Sequence, residues 1–145
     1  MSIDMKTLEC SSRGDKRFSA FYAKIKFYGS YDSIENHYQN VKRNAAGRKV
    51  GKGQPVDHIH IYGRMLDVKY LTPLYTMMWI KYLDEHPELV EYAQDFDEFT
   101  DMFRGKCVNC QADVIRKYVK DGRRSLMADP LVQELNKMMK SWKYF

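Results

Sequence analysis

The chain has 145 residues, 44% hydrophobic and 30% charged, the composition of one soluble globular domain large enough to bury a core without staples. No apolar run approaches the ~18 residues a membrane-spanning helix needs, and the opening Met-Ser-Ile-Asp-Met-Lys is not patterned as a signal peptide, so no membrane partner and a cytoplasmic location are expected. Three cysteines make no disulfide framework, and a net charge of +5 favours polyanionic partners, either nucleic acid or a phosphate-bearing ligand.

Residues 5–10 (Met-Lys-Thr-Leu-Glu-Cys) alternate as a short opening strand would, and Ser11-Ser12-Arg13-Gly14-Asp15 is turn material in which Gly14 can take positive φ. After Phe18-Ser19-Ala20-Phe21-Tyr22, residues 22–28 alternate as a half-buried strand that Gly29 ends. Residues 30–43 then read at helical period. Ile34, Tyr38 and Val41, with Ala45 beyond, form an apolar stripe, while Glu35, Gln39 and Lys42 form a polar stripe beside it. Ser30 or Asp32 offers the cap. On periodicity alone, such a polar stripe is the solvated margin of a surface helix.

Residues 44–56 are a glycine-rich, basic loop. Gly51-Lys52-Gly53 lacks the upstream glycine and the following Ser or Thr of a P-loop, yet its backbone N–H groups beside Arg48, Lys49 and Lys52 suit a phosphate as well as they suit a mobile surface loop. Residues 57–61 alternate as a short strand with His58 and His60 on one face, and Tyr62-Gly63 turns the chain. Thr72 as cap and Pro73 at the first helical position open a long apolar core helix through Leu83, which stops before Pro87, and a short helix covers 87–93. Residues 94–106 are acidic and aromatic without a clear period. A helix from Asn109 to Lys120 ends at Gly122, and Asp129-Pro130 opens a last helix with Leu131, Leu135, Met138, Met139 and Trp142 facing in. The expected fold is α+β, mainly helical: a single compact domain over 1–145 with a few short strands near the N-terminus.

Most candidate chemistry has an ordinary structural explanation. Cys107-Val-Asn-Cys110, even with His58, His60 or Cys10, falls short of the paired clusters of a zinc site, so no metal or cofactor is expected. No serine sits in a nucleophile elbow. The basic C-terminal half, with Trp142 and Tyr144, could track a phosphate backbone or be a solvated helical surface. Glu35 stands out by its setting, one turn from Gln39 and downstream of the aromatics Phe18, Phe21 and Tyr22. A carboxylate in an aromatic-walled pocket suits glycosidic cleavage, where it activates water or stabilises charge building on the sugar ring.

Arg13, Phe18-Ser19-Ala20-Phe21-Tyr22 and Ser33-Ile34-Glu35-Asn36-His37-Tyr38-Gln39-Asn40-Val41-Lys42 together resemble the signature of the NADAR (YbiA-like) superfamily, a "FSxFY" segment followed by "S-x-E-x-x-x-Q-x-x-K" on a helix. The Gly51–Gly53 loop, Leu71-Thr72-Pro73-Leu74-Tyr75 and the Asn109–Asp113 helix start are similar in order to phage and bacterial relatives of that superfamily. The chain departs from its better-known members where they carry "A-K-x-x-G-R" after the first helix. The resemblance implies an N-glycosidase acting on an ADP-ribosyl or nucleotide-like linkage, including ADP-ribose on nucleic acid. It implies Glu35 as the catalytic carboxylate, Phe18 and Phe21 as pocket aromatics and Arg13 as a phosphate or ribose contact. Gln39, which would fix that carboxylate, and Lys42 are the Q and K of the same motif and join them as candidate substrate-binding residues, and Lys52, Asn109 and Asp113 are added by order and residue type. Two other readings use the same features: a non-catalytic protein that sequesters a nucleotide, and a basic nucleic-acid-binding module.

Overall fold

A computed structural model describes residues 5–51, 53–101 and 111–142. The chain opens with β1 (Thr7–Glu9), whose only described strand partner lies far downstream, and then makes a tight turn through Gly14. A Cβ at Gly14 would stand 2.1 Å from the Glu9 carbonyl oxygen, so close approach of the backbone, and not a positive φ, calls for glycine there. A 3-10 turn over Lys16–Phe18 follows, capped by the Asp15 carboxylate.

Two hairpins come next, built the same way. The first joins β2 (Lys24–Phe27) to β3 (Ser30–Ser33). The helix α1 (Ile34–Val41) runs directly out of β3, and β4 (Lys42–Arg43) runs directly out of α1. The second hairpin joins β5 (His58–Ile61) to β6 (Arg64–Asp67), with β4 on the other side of β5 in an antiparallel three-stranded sheet. Both turns are Tyr-Gly: Tyr28 and Gly29 have φ of 48° and 85°, Tyr62 and Gly63 of 50° and 76°. Two consecutive positive φ values are the hairpin geometry that matches strand twist, and a tyrosine rarely adopts it. Here the two turn tyrosines stack on each other, with ring centroids 4.9 Å apart and planes 21° from parallel, so the hairpin tips hold one another.

The core helix is α2 (Leu71–Asp84), entered from a 3-10 turn over Val68–Tyr70. It buries Leu74, Met78, Trp79 and Leu83 completely, and α1, β2, α3 (Pro87–Ala93), α4 (Gln111–Arg116) and α6 (Pro130–Ser141) all pack on it. Between α3 and α4 lies β7 (Glu98–Thr100), which pairs in parallel with β1, Leu8 opposite Phe99. A π-helical turn over Lys117–Asp121 and the short α5 (Arg123–Met127) link α4 to α6. The Asp129 carboxylate caps α6 by accepting from the Leu131 N–H at 2.8 Å, a contact contributing about 1 kcal/mol.

The expected mainly helical α+β domain is what the chain forms, with six α-helices among the described residues, and several boundaries move. The stretch 30–43 is not all helix: its first four residues are β3, and its last two are β4. The cap is Ser33, whose Oγ accepts from the Asn36 N–H at 3.1 Å, in place of Ser30 or Asp32. Ala45 lies beyond the helix and is exposed. The core helix begins at Leu71 with no side-chain cap, so Thr72 and Pro73 are already inside its first turn. No helix among the described residues is long and apolar enough to cross a membrane.

Packing leaves an alkaline signature. Tyr82 donates its hydroxyl to the Arg17 carbonyl at 2.7 Å and Tyr118 to Asp84 at 2.6 Å. Burial first of all pushes Tyr28, Tyr82 and Tyr118 up to about 12 from the ordinary 10. Above pH 10 the unfolded chain therefore loses these protons while the folded chain keeps them. Stability is expected to be unaffected by these groups below pH 10 and to fall between about pH 10 and about 12. Denaturant midpoints across that range, with phenolate absorbance as the titration readout, check it.

Candidate functional site

The site is assembled at the N-terminus of α1. The first backbone donors of a helix have no partner inside it. Here the Ile34 N–H donates to the Ala23 carbonyl and the Glu35 N–H to the Ala20 carbonyl, both at 2.9 Å. The segment 18–23 is thus wrapped around the helix start and tied to it by backbone. It is itself a tight turn: the Tyr22 and Ala23 N–H groups donate to the Ser19 carbonyl at 3.0 and 2.7 Å, and the Phe21 N–H meets the Ser19 hydroxyl at 3.3 Å.

Glu35 lies in the first turn of α1, where the helix dipole favours negative charge. Its side chain is buried, only 9% exposed, and its Oε1 accepts from the Gln39 Nε2 at 2.9 Å. The pair is one helical turn apart, so the amide holds the carboxylate from the same face. On the same helix, His37 donates its Nε2–H to the Ile25 carbonyl at 3.0 Å, which locks α1 onto β2.

A third connection comes from the far end of the chain. Gln111, at the start of α4 and 1% exposed, accepts from the Ala20 N–H with Oε1 at 2.7 Å. Its Nε2 donates to the Asp101 carboxylate at 2.7 Å. One buried amide therefore bridges β7's exit, α4 and the turn that carries Ala20, whose carbonyl in turn holds Glu35. No local pattern marks Gln111. The polar start of a helix was visible, but a partner 91 residues away was not.

Of the candidate residues, Glu35, Gln39, Phe18 and Phe21 belong to this one assembly. Phe18 is fully buried and stacks on Tyr92, with centroids 6.2 Å apart, so it supports the turn from beneath. Phe21 and Tyr22 are about half exposed and present faces at the surface, with the Lys16 ammonium 5.0 Å from the Tyr22 ring. Lys42 does not continue the polar stripe. It follows α1 in extended backbone, with its ammonium 4.3 Å over the Tyr38 ring. Arg13 is exposed in the turn before the 3-10 segment, its N–H 3.3 Å from the Ser11 hydroxyl. Asp113 is exposed on α4 and pairs with Arg116 at 2.9 Å and Lys117 at 3.5 Å. Partial burial pushes its carboxyl up, but these two cations outweigh that and hold it below the ordinary carboxylate range. Lys52 and Asn109, and with them Cys107 and Cys110, lie outside the described residues.

The glycine-rich loop is structured where it is described. Asn44 accepts from the Ala46 and Arg48 N–H groups at 3.0 Å each, and Arg43 bridges to Lys49. Asn44, Ala45, Val50, Gln54, Pro55, Val56 and Asp57 line a hollow of about 510 Å³. Among the described residues, no group of three or more His, Cys, Asp or Glu side chains is gathered to hold an ion.

The chain matches no protein-family model, and it matches no curated protein.

Proposed function

We propose that this protein is an N-glycosidase that hydrolyses the glycosidic bond of an ADP-ribosyl or nucleotide-like substrate. The observation that carries the reading is the seating of Glu35. A carboxylate is buried at a helix N-terminus, oriented by Gln39, and tied through its own backbone to a turn that bears exposed aromatic side chains. In such chemistry the C1′–N bond breaks as positive charge grows on the ribose ring, and water supplies the new C1′–O bond. Glu35 orients and activates that water, or stabilises the ring charge, and Gln39 keeps its carboxylate from rotating. Phe21 or Tyr22 offers a face on which a base can stack, and the net positive charge of the chain favours a phosphate-bearing substrate.

The test is the fate of the ligand. The pure protein is incubated with ADP-ribosylated DNA and with a panel of NAD-derived nucleotides, and the products are weighed by mass spectrometry. Release of ADP-ribose or of a free base is the expected result. A nucleotide returned unchanged, with a raised melting temperature in its presence, would make the protein a sequestering binder and Glu35 a pocket residue.

A further inference from the structure

Side chains alternate across a strand, so in β2 Ile25 and Phe27 face the core while Lys24 and Lys26 face solvent. Tyr31 of β3 lies directly opposite Lys26 in the ladder, which puts its ring on the same outer face, where it is 66% exposed. The Lys24 ammonium is 6.0 Å from the centre of that ring. Just before β2, the half-exposed Tyr22 ring has the Lys16 ammonium 5.0 Å from its own centre. Phe21, also half exposed, follows Ala20, whose carbonyl holds the Glu35 N–H. The outer face of the hairpin thus leads to the site at the start of α1.

Exposed rings scattered singly are ordinary, but Phe21, Tyr22 and Tyr31 are grouped with three lysines. Among the described residues, none of Lys16, Lys24 and Lys26 forms an ion pair with a carboxylate. The acidic residues of this segment are engaged elsewhere. Asp15 is taken by Arg17 at 2.6 Å. Asp32 lies opposite Ile25, on the other face of the hairpin, and accepts from the Ser33 N–H and the Asn36 amide at 2.7 and 3.0 Å. The outer face is therefore positive, with flat apolar rings set between its charges. A polyanion that carries a planar group on every unit uses both features, a base on each ring and a phosphate on each ammonium. An acidic polypeptide would use the charges alone.

We propose that the outer face of the β2–β3 hairpin docks a single-stranded nucleic acid, with bases stacked on Tyr22 and Tyr31 and phosphates on Lys16, Lys24 and Lys26. The bases of a duplex are already stacked on one another, so a paired strand cannot use the rings. Because β3 runs directly into α1, Tyr31 and Glu35 belong to one continuous segment, and a strand held on the hairpin passes over Phe21 toward the carboxylate. This names the substrate class of the glycosidase reading: a modified nucleotide within an unpaired strand, not a free nucleotide. It rests on that reading for the chemistry at Glu35 but not for the docking itself. Stacking accepts the face of any base, so the surface holds strands without selecting a sequence.

The experiment follows fluorescence anisotropy of a labelled, unmodified oligothymidylate of about ten nucleotides as the full chain is added. Three lysine–phosphate contacts predict an affinity that falls with salt at a log–log slope of about −2. Tyr22→Ala and Tyr31→Ala, each first shown by thermal unfolding to be folded, are expected to weaken binding about fivefold or more, while Tyr31→Phe keeps it. Lys26→Ala should make the salt slope shallower by about 0.7. An abasic strand of the same length, the strand paired with its complement, and polyglutamate are each expected to bind at least about tenfold more weakly. Glu35→Gln should bind the strand unchanged, so a protein that binds it and hydrolyses nothing would keep the docking surface and lose only the glycosidase reading. Abasic strand, duplex or polyglutamate held as tightly as the oligothymidylate, or both alanine variants binding like the wild type, would overturn the proposal.

Discussion

Glu35→Gln is expected to lower turnover of an ADP-ribosyl or nucleotide-like substrate by about 10²–10⁴-fold. The substitution keeps the shape and removes the negative charge. The Gln39 amide that now donates to Glu35 Oε1 at 2.9 Å can go on donating to the new carbonyl oxygen, so that hydrogen bond survives the substitution. The Glu35 N–H still donates to Ala20, because that bond is made by backbone. The melting temperature should therefore move by only a few degrees while the rate collapses. Steady-state kinetics beside a thermal scan separates the two effects. A variant that turns over as fast as the wild type would remove Glu35 from the chemistry.

Gln111→Ala is expected to damage stability and the site together. It takes the only described partner from the buried Ala20 N–H, takes one hydrogen bond from Asp101, and leaves a cavity in a position that is 1% exposed. An unsatisfied buried donor costs about 1–3 kcal/mol, and the lost packing adds to it, so a total of about 2–4 kcal/mol is expected. For a domain of this size that is a drop in melting temperature of roughly 5–15 °C. Because Ala20 also holds the backbone of Glu35, turnover at a temperature where the variant is folded should fall as well, with the defect in kcat and not only in KM. Gln111→Ala that melts like the wild type would mean the bridge contributes little.

The sequence carried the elements with a clear period. The α2, α3 and α6 helices are legible because an apolar run, a proline at the helix start and an Asp-Pro cap mark them in turn. What it hid was short or long-range. Ser30–Ser33 is a four-residue polar strand, and its hairpin turn is Tyr-Gly without the Asn or Asp that usually announces one. A 3.6 period puts Lys42 on the Glu35–Gln39 stripe and does not reveal that pairing with β5 takes over there. The helix α5 buries only Leu126 and has no cap, so nothing in Arg123–Met127 signals it. At the site, Glu35 and Gln39 were legible as an i, i+4 pair. The joining of Glu35 to Ala20 follows the order of the two motifs, but the Gln111 bridge depends on contacts that no local pattern encodes.

The most direct test of the N-glycosidase account is to run the reaction in H₂¹⁸O with ADP-ribosylated DNA and weigh the released sugar nucleotide. Hydrolysis at the glycosidic carbon is expected to place one ¹⁸O on the ribose ring carbon of released ADP-ribose, in the wild type and not in Glu35→Gln. Label in a phosphate group, or substrate recovered intact and unlabelled, would contradict it.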